Sequence, residues 1–176
     1  MKKLAFALVF VGIFLVSTCA MAFVIGVSGK YDYGADMYGF GSGSKATWGP
    51  AAAYPSIHLV LGGDKDTLLD IGVGMGEEGR TPVSIGAVYT YFDLIDVLRF
   101  YGSAGITYYF VPNNQGFTNL KLNSTMLGLD ISLPFLPFSI FAGAGMRSPM
   151  TFGPGDYIDV ALGWNIEAGA TFYLVK

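Results

Sequence analysis

Ser56 and His58 stand two residues apart, and a serine beside a histidine is one starting point for nucleophilic acyl chemistry. His58 is the sole histidine of the 176 residues, so any imidazole chemistry rests on it. On a strand, residues i and i+2 share one face, and this face is predicted to point inward. A pair that cleaves lipid must face lipid or a lateral cleft, so His58 reads as a member of an interior polar network. Other chemistry is harder to place. The carboxylates are dispersed, with no pair of the kind that cleaves glycosides. One histidine, one cysteine and no Asp-x-Asp-x-Asp-Gly loop leave no metal pattern. Gly72, Gly74 and Gly76 look superficially like a phosphate loop, but strand alternation on a crowded interior face accounts for them. Asn123-Ser124-Thr125 matches a glycosylation sequon, a three-residue pattern that carries little weight by itself. No cofactor and no enzymatic activity are expected.

The chain start predicts export. Lys2 and Lys3 precede an unbroken apolar run from Leu4 to Val16, and small residues follow up to Ala20-Met21-Ala22. That order is a secretory signal peptide over residues 1–22 with cleavage after Ala22, and the run is too short for a helical membrane span of roughly 20 residues. Val16-Ser17-Thr18-Cys19 offers a competing lipoprotein site, with Thr18 a poor residue before the cysteine. Cutting after Ala22 removes Cys19, the one cysteine, and with it any disulfide or thiolate chemistry.

Residues 23–176 then form one domain. Two of the ten basic residues and none of the thirteen acidic ones lie in the leader, so the mature charge is about −5. An acidic chain without a basic cluster excludes nucleic acid as a partner. Hydrophobic residues make up 52% and charged ones only 13%, against roughly 25% charged in soluble domains. Such a composition suits a membrane protein. Helical spans fail, because the best apolar stretch, Leu127 to Met146, contains Asp130, Pro134 and Pro137.

Period-2 alternation succeeds. Apolar sets at Phe23 to Tyr33, Ile57 to Leu61, Leu69 to Met75, Val83 to Tyr91, Phe100 to Phe110, Leu127 to Leu133, Phe138 to Met146 and Val160 to Leu174 alternate with small or polar residues. Eight segments, most of about 9–11 residues, are what tilted membrane strands need. The connection Gly34–Pro50 is long, as are the Asn-rich stretch around Pro112-Asn113-Asn114-Gln115-Gly116 and Ser148–Asp156. Gly62–Asp66, Phe92–Val97 and Pro134–Pro137 read as short turns, while Glu77–Thr81 is a short connection on the long-loop side. The prediction is an all-β fold: an eight-stranded antiparallel up-and-down transmembrane β-barrel with long external loops and periplasmic termini.

An eight-stranded barrel has room inside only for side chains. Lys30, Asp70, Arg99, Asp130, Arg147, Asp159 and Glu167 are therefore expected to form a lumen charge network, with glycines making space for Arg99, Tyr101, Tyr109 and Tyr173. Tyr31, Tyr33, Tyr89, Tyr91, Tyr108 and Phe110 are expected outward as an aromatic girdle. Phe40, Trp48, Phe117 and Phe152 are candidate external-loop contacts.

With its leader, eight alternating segments and mature length, the chain resembles the small outer-membrane β-barrels, such as the transmembrane domain of outer membrane protein A and outer membrane protein W. The resemblance covers the mature chain in pattern and size, without a diagnostic motif. It departs at the end: Phe172-Tyr173-Leu174-Val175-Lys176 lacks the terminal aromatic that the assembly machinery reads, so a variant assembly signal is expected. The resemblance implies residence in a bacterial outer membrane, with outer-membrane lipid, barrel-assembly machinery and periplasmic chaperones as partners, and a surface ligand at the loops. The leading function is a non-enzymatic barrel, structural or surface-interacting, with a side-chain-filled lumen. The alternatives are a narrow channel or carrier for small apolar molecules, a lipid A-modifying barrel enzyme built on Ser56 and His58, and a soluble periplasmic lipocalin-like barrel.

Overall fold

The computed structural model of the chain describes residues 24–41, 54–75, 80–110, 117–133 and 135–175. The expected leader, residues 1–22, lies outside them, as do Phe23, Trp48 and the Asn-rich stretch 112–116. Eight strands follow in chain order: β1 (Val24–Gly41), β2 (Tyr54–Gly62), β3 (Thr67–Gly74), β4 (Thr81–Leu94), β5 (Leu98–Phe110), β6 (Thr118–Ser132), β7 (Phe138–Gly153) and β8 (Tyr157–Val175). Each pairs antiparallel with its sequence neighbours, and β8 pairs with β1 to close the ring. Closure gives every strand two partners and removes the sheet edge.

Several strands run further than the alternation suggested. β6 begins at Thr118, whereas the sequence pattern located it only from Leu127. The cause is a bulge at Met126: Thr125 pairs with Gly145 and Leu127 with Ala144. The extra residue flips the alternation, so Leu120 and Leu122 fall out of phase with Leu127 and Leu129. The connection expected over Ser148–Asp156 shrinks to 154–156, since β7 continues through Pro149 to Gly153. Gly155 and Asp156 turn the chain there with φ of 68° and 61°, a left-handed conformation that glycine and aspartate tolerate. The turn expected over Phe92–Val97 is also tighter, with β4 and β5 paired up to Leu94 and Leu98 around a 3₁₀ turn at Ile95–Val97. The first part of the long connection after Tyr33 continues β1 to Gly41.

The wall is uneven in consequence. β1, β6, β7 and β8 have 15–19 residues, while β2 and β3 have nine and eight. At the end carrying the termini the lumen closes on a small apolar cluster of Val24, Val60, Leu68 and Tyr173, against which Val88 packs. The sequence pattern placed Tyr173 inward but did not single out Val24, Val60 or Leu68.

The candidate functional site in the lumen

Burial in this barrel is inverted relative to a soluble protein. Ser28, His58, Asp70, Arg99, Thr107, Lys121, Arg147 and Glu167 are buried, while Ile57 is 65%, Leu127 64% and Phe172 50% exposed. Strand pleating produces this, because alternate residues of β2 (Tyr54, Ser56, His58, Val60) point inward and their neighbours outward. Tyr31, Tyr33, Tyr89, Tyr91 and Phe110 are all exposed, and Tyr108 is half-buried. The Tyr91 hydroxyl donates to the Met126 carbonyl at 3.4 Å across Gly102, giving the bulge a partner on the apolar face.

Ion pairs hold the middle of the lumen. Lys30 on β1 pairs with Asp70 on β3 and lies 4.0 Å from Glu167 on β8. Glu167 Oε1 also accepts from the Tyr101 hydroxyl (3.0 Å) and from Thr125 Oγ1 (2.6 Å). Together these side chains form a polar floor spanning β1, β3, β5, β6 and β8. Arg99 donates to Asp130 at 2.7 Å on the side nearer the termini. Toward the loop end, Arg147 Nε donates to Asp36 at 2.8 Å, a partner the sequence reading did not name. Asp159 sits half-buried near the loop end, opposite Thr151 and Gly41, with no ion pair among the described residues. Lys121 was missed altogether because it lies in the unrecognised half of β6. Its ammonium donates to the Tyr54 hydroxyl at 2.6 Å and lies over the Tyr54 and Tyr109 rings.

Two voids of about 50 Å³ flank the floor. The one toward the loop end is lined by Ser56, His58, Asp70, Thr107, Asn123 and Asn165 among others. Ser56 Oγ lies 2.8 Å from His58 Nε2, and His58 Nδ1 lies 2.6 Å from Asp70 Oδ1. An ionised carboxylate only accepts, so Nδ1 carries the proton and Nε2 accepts from the Ser56 hydroxyl. The imidazole reaches this position because Gly72 has no side chain: a Cβ there overlaps the His58 ring. Gly72→Ala is therefore expected to displace the ring and lower stability by about 1–3 kcal/mol. Urea unfolding in detergent checks this, together with the imidazole NMR signals of the single histidine. Gly29→Ala, with nothing within 4 Å of its Cβ, is the control and stays within about 0.5 kcal/mol.

Of the four candidate loop residues, Trp48 lies outside the described residues. Phe40 and Phe152 lie on β1 and β7 with 57% and 37% exposure, on the outward face. Phe117 packs edge-on to Tyr157 at 5.7 Å. Phe40 and Phe152 thus line no lumen pocket, because the strands extend to them and pleating turns them out.

An apolar exterior, a polar lumen and eight up-and-down strands define the class: the fold is that of the small transmembrane β-barrels. Neither a protein-family model nor a curated protein matches the sequence. Among solved structures, the chain is similar to Neisserial surface protein A at 15% identity, with TM-score 0.52 and coverage of 85% of this chain and 96% of that one. Outer membrane protein OprG from Pseudomonas aeruginosa matches at 13% identity and TM-score 0.45, covering 89% of this chain and 97% of that one. A de novo designed transmembrane β-barrel matches at 10% identity and TM-score 0.49, with coverage of 86% and 95%. At such identities the likeness is one of fold.

Proposed function

We propose that the chain is an exported, integral outer-membrane barrel with a plugged lumen and a structural or surface-interaction role. One observation carries this reading: large apolar side chains cover the outside while ion-paired and hydrogen-bonded groups fill the inside. Lipid accepts the apolar face, and the closed ladder satisfies the backbone groups that lipid cannot. A soluble lipocalin-like barrel needs the opposite arrangement, apolar within and polar outside. Outer-membrane lipid is accordingly the first partner. Assembly machinery and periplasmic chaperones would handle the exported chain, and the tall wall of β1, β6, β7 and β8 offers the loop-end surface for a ligand. The floor of Lys30, Asp70, Tyr101, Thr125 and Glu167 is expected to block a continuous water path of ion width.

Planar-bilayer recording tests the plug. Purified barrel is expected to give no stable conductance, and reproducible unitary steps would count against a filled lumen. Cell fractionation with heat-modifiable gel mobility tests the location. The folded band is expected in the detergent-extracted membrane fraction, and a soluble periplasmic protein would end the membrane reading.

A further inference from the structure

We infer that Ser56 is an activated nucleophile, with His58 as its general base and Asp70 as a positioning residue, and that it takes the acyl group of small water-soluble esters. The activity goes beyond the barrel's structural role and does not depend on it. Three side chains on two adjacent strands make the arrangement. Ser56 and His58 are successive inward residues of β2, and β3 supplies Asp70. The order of atoms is the one acyl transfer requires: hydroxyl on Nε2 at 2.8 Å, carboxylate on Nδ1 at 2.6 Å. The two carboxylate oxygens of Asp70 divide their partners, Oδ1 to His58 and Oδ2 to Lys30. Asp70 is thereby held ionised and aimed, which fixes the imidazole tautomer that can accept a proton from Ser56.

The void beside the pair supplies the space. About 50 Å³ holds about three or four water molecules, room enough for a short acyl group such as acetyl. Two residues of its wall suit a developing oxyanion. Lys30 and Asn165 both line it, and Asn165, 6% exposed, carries a buried amide whose Oδ1 has no hydrogen-bond partner. Rotation of that amide presents its N–H₂ as a donor to negative charge. Because the pair faces the lumen, membrane lipids are excluded as substrates.

The step balances without a cofactor. Ser56 Oγ bonds to the ester carbonyl carbon as its proton passes to His58 Nε2. The carbon–oxygen bond to the alcohol then breaks, and the leaving oxygen takes that proton. Water, deprotonated by His58, cleaves the acyl-serine to release the carboxylic acid and restore Ser56.

The test uses the full chain folded in detergent micelles, with p-nitrophenyl acetate and a short-alkyl fluorophosphonate as probes. A single phosphonyl adduct on Ser56 and release of p-nitrophenol are expected, with the butyrate ester at least about tenfold slower than the acetate. Ser56→Ala abolishes both signals. His58→Gln slows adduct formation by about 100-fold or more. Asp70→Asn slows it as well, a change in rate that a purely structural brace does not produce in a folded barrel. Ser139→Ala, a buried serine near Tyr173 at the other end of the lumen, leaves both rates unchanged. Heat-modifiable mobility confirms that each variant is folded. No adduct on folded wild-type barrel, labelling undiminished in His58→Gln, or equal rates for acetate and butyrate would each overturn the assignment.

Discussion

Lys30→Met is expected to destabilise the barrel by about 3–5 kcal/mol, among the largest losses for one substitution inside the lumen. Methionine keeps most of the stem, which lies beside the Phe141 ring with the ammonium 5.6 Å from its centre. Packing is therefore nearly preserved and the charge is what disappears. Asp70 and Glu167 are both buried. Without Lys30, Asp70 keeps only His58, and Glu167 keeps only the neutral donors Tyr101 and Thr125. Two desolvated carboxylates then face each other across the floor.

A double-mutant cycle separates this from lost packing. Lys30→Met with Asp70→Asn restores one balance of charge, since a neutral amide can still accept from His58 Nδ1. Glu167 remains, but at 4.0 Å it was the weaker partner of Lys30 and retains two hydrogen bonds. The double variant is expected to recover more than half of the loss, a coupling within the 0.5–3 kcal/mol range of contacting residues. Reversible urea titration in liposomes, followed by tryptophan fluorescence, measures it. If the single variant costs less than about 1 kcal/mol, water reaches the floor and the lumen is not plugged.

What the sequence made legible follows from which physical signal each residue carries. Period-2 alternation is strong where one face is continuously apolar, so β4, with Val83, Ile85, Ala87 and Tyr89 outward, was readable almost to its ends. It fails at a bulge, because one inserted residue reverses the phase. Met126 hid the first half of β6 and with it Lys121, which holds the Tyr54 hydroxyl. It also fails where a strand leaves the apolar band, as in β1 beyond Tyr33, where Asp36 meets Arg147. Single inward charges such as Asp70, Arg99 and Glu167 carry a signal, since a charged residue on the non-lipid face has only the lumen to occupy. Lys121 and Asp36, by contrast, lay outside the recognised strands, and Asp159 has no ion pair among the described residues. The partners of the inward charges were not legible, because pairing between β1, β3 and β8 depends on register and closure. The Ser56–His58–Asp70 geometry shows the division most clearly. The shared face of Ser56 and His58 was readable from spacing, whereas Asp70 arrives through the pairing of His58 with Gly72, which sets Asp70 two residues away on the same face.

Ile85→Arg is expected to cost about 2–4 kcal/mol, because Ile85 sits mid-height on the outward face with Ile71 and Ile106 as its cross-strand neighbours. Ile85 is already 45% exposed, with its side chain on the outward face of β4. In a water-soluble protein such a substitution changes stability by no more than about 0.5 kcal/mol, so the size of the effect reports the solvent around the residue. Arginine at mid-height lies far from either interface and cannot fully snorkel out. Tyr38→Arg is the comparison: Tyr38 is 65% exposed but lies five residues past Tyr33, beyond the aromatic band. A cost of about 0–1 kcal/mol is expected there, as near an interface. Urea titration of both variants in the same liposomes gives the contrast directly. A large loss at Ile85 with a small one at Tyr38 follows only if the apolar band is immersed and the tall wall emerges. Equal, small losses at both positions would mean that water surrounds the whole barrel.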